Sequence, residues 1–179
     1  MKKLIFSALV VISLNAMSQT DSIPFVDGQY QYSEVVKLDS SFTKDKLYRN
    51  AKLYFTDNFK SAKDVIQYDE KQEGKVIGKG YFESNVKTMI MLTADYIKTS
   101  VYYSTEITCK DGRYRYKIYD INLKSEDNTT FNLSDIFKSR FNKKYRTGLY
   151  NDIVIHFKAV MNTLKEYMSK DQAAKKDDF

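Results

Sequence analysis

The run from Tyr32 to Phe82 (YSEVVKLDSSFTKDKLYRNAKLYFTDNFKSAKDVIQYDEKQEGKVIGKGYF) admits few folds, because its apolar period shifts from two to about four and back to two. Gln29–Leu38 alternates at Tyr30, Tyr32, Glu34, Val36 and Leu38, as a half-buried strand does. Glu34 interrupts that apolar face, so it belongs at a strand edge or in an ion pair. After the polar break Asp39-Ser40-Ser41, Thr43 is placed to cap a helix, and Asp45 puts a negative charge in its first turn. Leu47, Ala51 and Phe55 recur every four residues, flanked by Tyr48, Tyr54 and Phe59, which predicts a helix over Lys44–Phe59 with a core-facing stripe. Asp64–Asp69 and Lys75–Phe82 read as strands joined by the charged turn Glu70–Gly74. Gly78 and Gly80 fall on the same strand face as Val76 and Phe82, where they let a helix come close. As a phosphate loop the Gly-Lys-Gly fragment fails, since neither nucleotide fingerprint is present and no helix pattern follows it.

Downstream, the apolar cluster Met89–Leu92 leaves 85–98 open between strand, short helix and core cap. Ser100–Cys109 then alternates cleanly, Asp111-Gly112 is a hairpin turn, and Arg113–Leu123 answers it. Tyr114, Tyr116 and Ile118 take one face of this last strand; Arg113, Arg115, Lys117, Tyr119 and Ile121 take the other. The polar stretch 124–147 reads as a long connection with one helical turn. A stripe from Leu149 to Met168 predicts a helix over 148–168, and the charged residues 169–179 read as a disordered tail. The sum is an α+β domain over 29–168, an antiparallel sheet of about five strands with two amphipathic helices on one face.

The first residues carry Lys2 and Lys3, an apolar run Leu4–Leu14 and the exit Asn15-Ala16-Met17-Ser18. This is the layout of a secretory signal peptide over 1–18, with Gln19–Gly28 as an extended leader; the apolar run is too short to span a bilayer. No cysteine stands near the exit, so the expectation is export to the periplasm or cell surface, not as a lipoprotein. The formal charge of +6 drops by two once that segment is removed, an imbalance that favours solubility and weak attraction to acidic surfaces without naming a partner. Cys109 is the only cysteine, so no internal disulfide can form and packing must supply the stability.

The blocks YSEVV, KDKLYRNAKLYFTDNFKSAKDVIQ, GKVIGKG and KDGRYRYKIYDI, in that order, resemble the exported bacterial family DUF4468, over roughly Tyr30–Leu123. The resemblance implies a TBP-like fold, a curved antiparallel sheet with helices packed on one side. It implies no established activity and carries no catalytic residues. A TBP-like sheet need not bind nucleic acid, because function lives in the site, and export argues against that partner.

If Tyr114, Tyr116 and Ile118 face the helices, then Arg113, Arg115, Lys117 and Tyr119 lie on the open face beside Tyr102 and Lys110, with Lys79 and Tyr81 nearby. A basic, tyrosine-bearing sheet suits an acidic polymer, glycan, lipid headgroup or partner protein in the envelope. The expected function is a non-enzymatic binding or scaffolding module needing no cofactor or metal. The alternative is a hydrolase whose carboxylates, such as Glu34 and Glu106, are assembled by folding. The single histidine, His156, flanks the last helical stripe, where a boundary role fits better than catalysis.

Overall fold

The computed structural model of the protein describes residues 22–59, 65–90, 93–138 and 142–171. The expected signal peptide, and the tail beyond Asp171, lie outside the described residues. In chain order the elements are β1 (Phe25–Val26), β2 (Gln29–Tyr30), β3 (Tyr32–Lys37), α1 (Lys44–Asn58), β4 (Ile66–Glu70), β5 (Lys75–Ile90), β6 (Thr93–Lys110), β7 (Arg113–Ser125), β8 (Thr130–Asn132), α2 (Leu133–Lys138) and α3 (Lys143–Ser169). A six-stranded antiparallel sheet runs in the order β3-β7-β6-β5-β4, with β8 also paired to β7; β1 and β2 form a separate small hairpin around Asp27-Gly28. None of the described helices is long and apolar enough to cross a membrane.

Two signals far apart in sequence meet at the start of α1. Thr43 caps the helix by accepting from the Lys46 amide (3.3 Å), and Asp111 of the β6–β7 turn accepts from the Lys44 amide (2.6 Å). The same turn receives the preceding loop through Gly112 N–H to Phe42 O and Leu38 N–H to Gly112 O. Three orphan groups around a helix N-terminus are thereby satisfied by a hairpin 67 residues away.

The expected stripe of α1 is buried, with Leu47, Ala51 and Phe55 fully inaccessible and Tyr48 and Tyr54 nearly so. It settles on β5 where the glycines are. A Cβ at Gly78 would stand 2.3 Å from the Phe55 ring, and one at Gly80 would stand 2.7 Å from the Phe59 ring. The missing side chains are what bring this helix within contact of the sheet.

The other half of the face is covered by α3. Its length is greater than the stripe suggests, because Asn142 caps it by accepting from the Lys144 amide (2.8 Å) and Tyr145 is already buried in the first turn. It runs from the Val86 end of β5, where Gly148 sits against the valine, past Phe82 and Tyr103 to the β3 edge. There Lys165 pairs with Glu34 (2.7 Å), which also accepts from the Tyr116 hydroxyl (2.6 Å). Glu34 is thus both at the sheet edge and paired, as its place in the strand pattern requires.

One open reading is settled and two expectations change. Residues 85–90 and 93–98 are strand: β5 and β6 continue as a two-stranded ribbon past the end of β7. The connection after β7 contains β8 and α2, whose Leu133 and Ile136 are buried. Ile121 is buried and not on the open face, because a bulge shifts the register. Tyr102 pairs with Asn122 but Ser104 pairs with Tyr119, so Asp120 and Ile121 both oppose Tyr103. Asp120 takes a left-handed φ of 55°, and beyond it the inward parity of β7 is reversed.

Replacing Gly78 by Ala is expected to lower stability by about 1–3 kcal/mol, since the Phe55 ring must move out of a packed site. Urea unfolding of this variant beside wild type measures it; an unchanged midpoint would show that α1 is not seated on the glycine.

Candidate functional site

The face of the sheet away from α1 and α3 carries the seven binding residues expected from sequence. Lys79, Tyr81, Tyr102, Arg113 and Arg115 are exposed there, and Lys117 and Tyr119 are half-buried. They form two groups. Along β7, Arg113, Arg115 and Lys117 gather with Lys110 and Lys37 near the β6–β7 turn. Lys79, Tyr81, Tyr102 and Tyr119 lie toward the other end of the strands.

At the cationic end, Val35, Thr108, Lys110, Arg113 and Arg115 line a cavity of about 300 Å³. Arg115 reaches Glu106 (3.2 Å), which also meets Lys75 (3.3 Å) and accepts from Thr108 (3.3 Å). The Glu106 carboxylate is well covered and offsets these two cations. Among the described residues no carboxylate lies within salt-bridge distance of Lys37, Lys110, Arg113 or Lys117. Lys117 instead leans over the Tyr119 ring, 5.0 Å from its centroid. The register sets Lys37 directly opposite Arg113, and Arg113 directly opposite Lys110, on three adjacent strands.

At the other end Tyr81 and Tyr102 stack across β5–β6, 5.6 Å apart and inclined by 26°, while 63% and 40% exposed. Sequence reasoning missed the neighbouring cleft of about 190 Å³ lined by Phe25, Tyr30, Asp120, Asn122 and Asn132, among others. Its walls come from three separate segments, and the bulge that turns Asp120 toward it leaves only the three-residue spacing from Ile118 to Ile121 as a sign.

The carboxylates suggested for hydrolysis are not brought together. Glu34 is on the helix-covered face, held below the ordinary range because Lys165 and Tyr116 outweigh the upward push of burial, whereas Glu106 is on the open face. Among the described residues no group of three or more His, Cys, Asp or Glu is arranged to hold a metal. Cys109 is fully buried, and burial pushes its thiol up to about 12, so it packs as a small apolar side chain and is a poor nucleophile at neutral pH. His156 stacks on Phe82 (3.6 Å between centroids, 16°) with Nε2 buried and without a partner among the described residues.

Burial lowers the His156 pKa from its ordinary 6.5. The unfolded chain therefore binds the proton more readily, and stability falls as pH drops below 6.5 toward the folded value. The carboxylates contribute only lower, around and beneath 4.5 for Glu34. A series of thermal midpoints between pH 7.5 and 5 should slope downward in wild type and flatten in His156→Phe. Parallel curves for the two proteins would remove the histidine as the cause.

A family model described as a domain of unknown function (DUF4468) with TBP-like fold matches residues 32–124. The chain is similar to the crystal structure of a DUF4468 family protein from Bacteroides ovatus, with a TM-score of 0.61 at 16% identity, covering 84% of this chain and 93% of that one. It is also similar to a TBP-like protein from Parabacteroides distasonis, with a TM-score of 0.53 at 18% identity, covering 80% and 97%. No curated protein matches the chain. At these identities the structural likenesses establish the fold alone, an α+β TBP-like sheet with its helices on one side.

Proposed function

We propose that this chain, which belongs to the DUF4468 family, is exported to the bacterial envelope and acts there as a non-enzymatic binding module, holding an acidic glycan on the open face of its sheet. The observation that carries this reading is the cross-strand row Lys37, Arg113, Lys110. Like charges placed directly opposite one another on neighbouring strands repel and destabilise the pairing. The repulsion is relieved when an anion sits among them. The adjoining cavity gives that anion a place, lined by the exposed Val35, Thr108 and the cations Lys110, Arg113 and Arg115.

Arg115 plays a different part from its neighbours. Its charge is engaged by Glu106, so reversing it would set two carboxylates side by side and disturb the sheet itself. Lys110 and Arg113 are the cleaner probes.

On a column of immobilised polygalacturonate the wild type should be retained at low salt and elute as salt screens the contact. The double variant Lys110→Glu, Arg113→Glu should elute at distinctly lower salt, while the charge-matched Lys143→Glu, Lys144→Glu, altered on the exposed first turn of α3, should stay close to wild type. Equal shifts in both variants would assign retention to net charge and dismiss the face.

A further inference from the structure

The registers of four strands place Tyr81, Tyr102, Asn122 and Asn132 in one row: Tyr81 opposite Tyr102, Tyr102 opposite Asn122, and Asn122 opposite Asn132. At ~4.8 Å between strands the row is about 14 Å long. It starts on the two stacked, solvent-facing rings and ends in the 190 Å³ cleft. That cleft occurs where the edge of β7 away from β6 has no paired strand, since β3 pairs only as far as Ile118 and β8 pairs only from Asn122, with the bulge between them. Phe25 forms part of its wall and is 58% exposed, although it meets Tyr30 edge-on at 4.9 Å. Among the described residues Asp120 is the only charged side chain lining it, and its carboxylate accepts from Asn122 at 2.8 Å.

We propose that this row and cleft are a carbohydrate site, separate from the cationic cavity, for a neutral oligosaccharide lying across the strands with one sugar ring in the cleft. Exposed flat rings offer apolar faces to the C–H faces of a pyranose, and Asn and Asp side chains exchange hydrogen bonds with its hydroxyls. An anion is disfavoured in the cleft by Asp120, since no Lys or Arg among the described residues lines it. A purely apolar ligand would strip water from Asp120, Asn122 and Asn132 without returning hydrogen bonds. The cleft holds the equivalent of roughly six waters, room for one sugar ring to seat its hydroxyl-bearing edge. The bulge serves this site directly: the left-handed backbone at Asp120 re-aims a β7 side chain out of the regular alternation and into the gap. Along β6 the distance from Tyr102 to Lys110 is roughly 27 Å, so the two sites are occupied independently.

The test is an ¹⁵N-NMR titration of the purified protein with cellotriose, maltotriose, chitotriose and mannotriose. At least one should shift the amides of β2, the bulge and β8. Tyr81→Ala and Phe25→Ala, both at exposed positions that leave the core intact, should each weaken that binding tenfold or more. Lys110→Glu, Arg113→Glu should bind the same sugar as wild type does. Shifts that survive in both aromatic variants overturn the site, and so does the absence of shifts with all four sugars. Either failure leaves retention on polygalacturonate untouched, which separates this inference from the anionic reading; loss of retention with sugar binding intact would do the converse.

Discussion

The Phe55 ring lies on bare backbone at Gly78, and Phe59 does the same at Gly80. Everything above the sheet follows from that approach. With any larger residue on β5 there, α1 would ride higher, Leu47 and Ala51 would lose their seat, and the N-terminal clasp to Asp111 would be pulled out of register. Lowered to this depth, α1 also offers Tyr54 to Tyr167 of α3 (5.9 Å) and Asn50 to the Lys170 carbonyl (2.9 Å), so the second helix is held by the first as well as by the sheet.

Covering one face fully is what leaves the other free. The buried rings of Tyr114 and Tyr116 and the side chains of Val101, Ile107 and Ile118 all point toward the helices, and strand alternation then sends their neighbours outward. The outward set is neither uniformly basic nor uniformly polar. Glu106 ties Lys75 and Arg115 into a local network at its middle, leaving uncompensated cations at one end and stacked rings at the other.

The sequence is most readable where a single periodicity persists. Alternation over Ser100–Cys109, the Asp111-Gly112 turn and the four-residue spacing of Leu47, Ala51 and Phe55 each correspond to the structure because local geometry and burial ask for the same residues. Legibility fails where they diverge. Met89–Leu92 lacks alternation, so nothing marked 85–98 as an extension of the hairpin. The bulge at Asp120 broke the parity from which Ile121 was placed outside, and β8 is three residues long, too short to show a period. The cationic residues were found because they share one strand face; the cleft was missed because Phe25, Asn122 and Asn132 become neighbours only through pairing.

The last long helix binds the first described residues. Ile23 is buried, and its amide donates to the Tyr150 hydroxyl (2.8 Å) across 127 positions of chain. Contacts of such sequence separation are slow to form, since the intervening loop must close before they repay its entropy. A chain growing from its N-terminus can seat α1 on the glycines of β5 early, but it carries the aromatic-rich other half of the sheet face uncovered until α3 is complete.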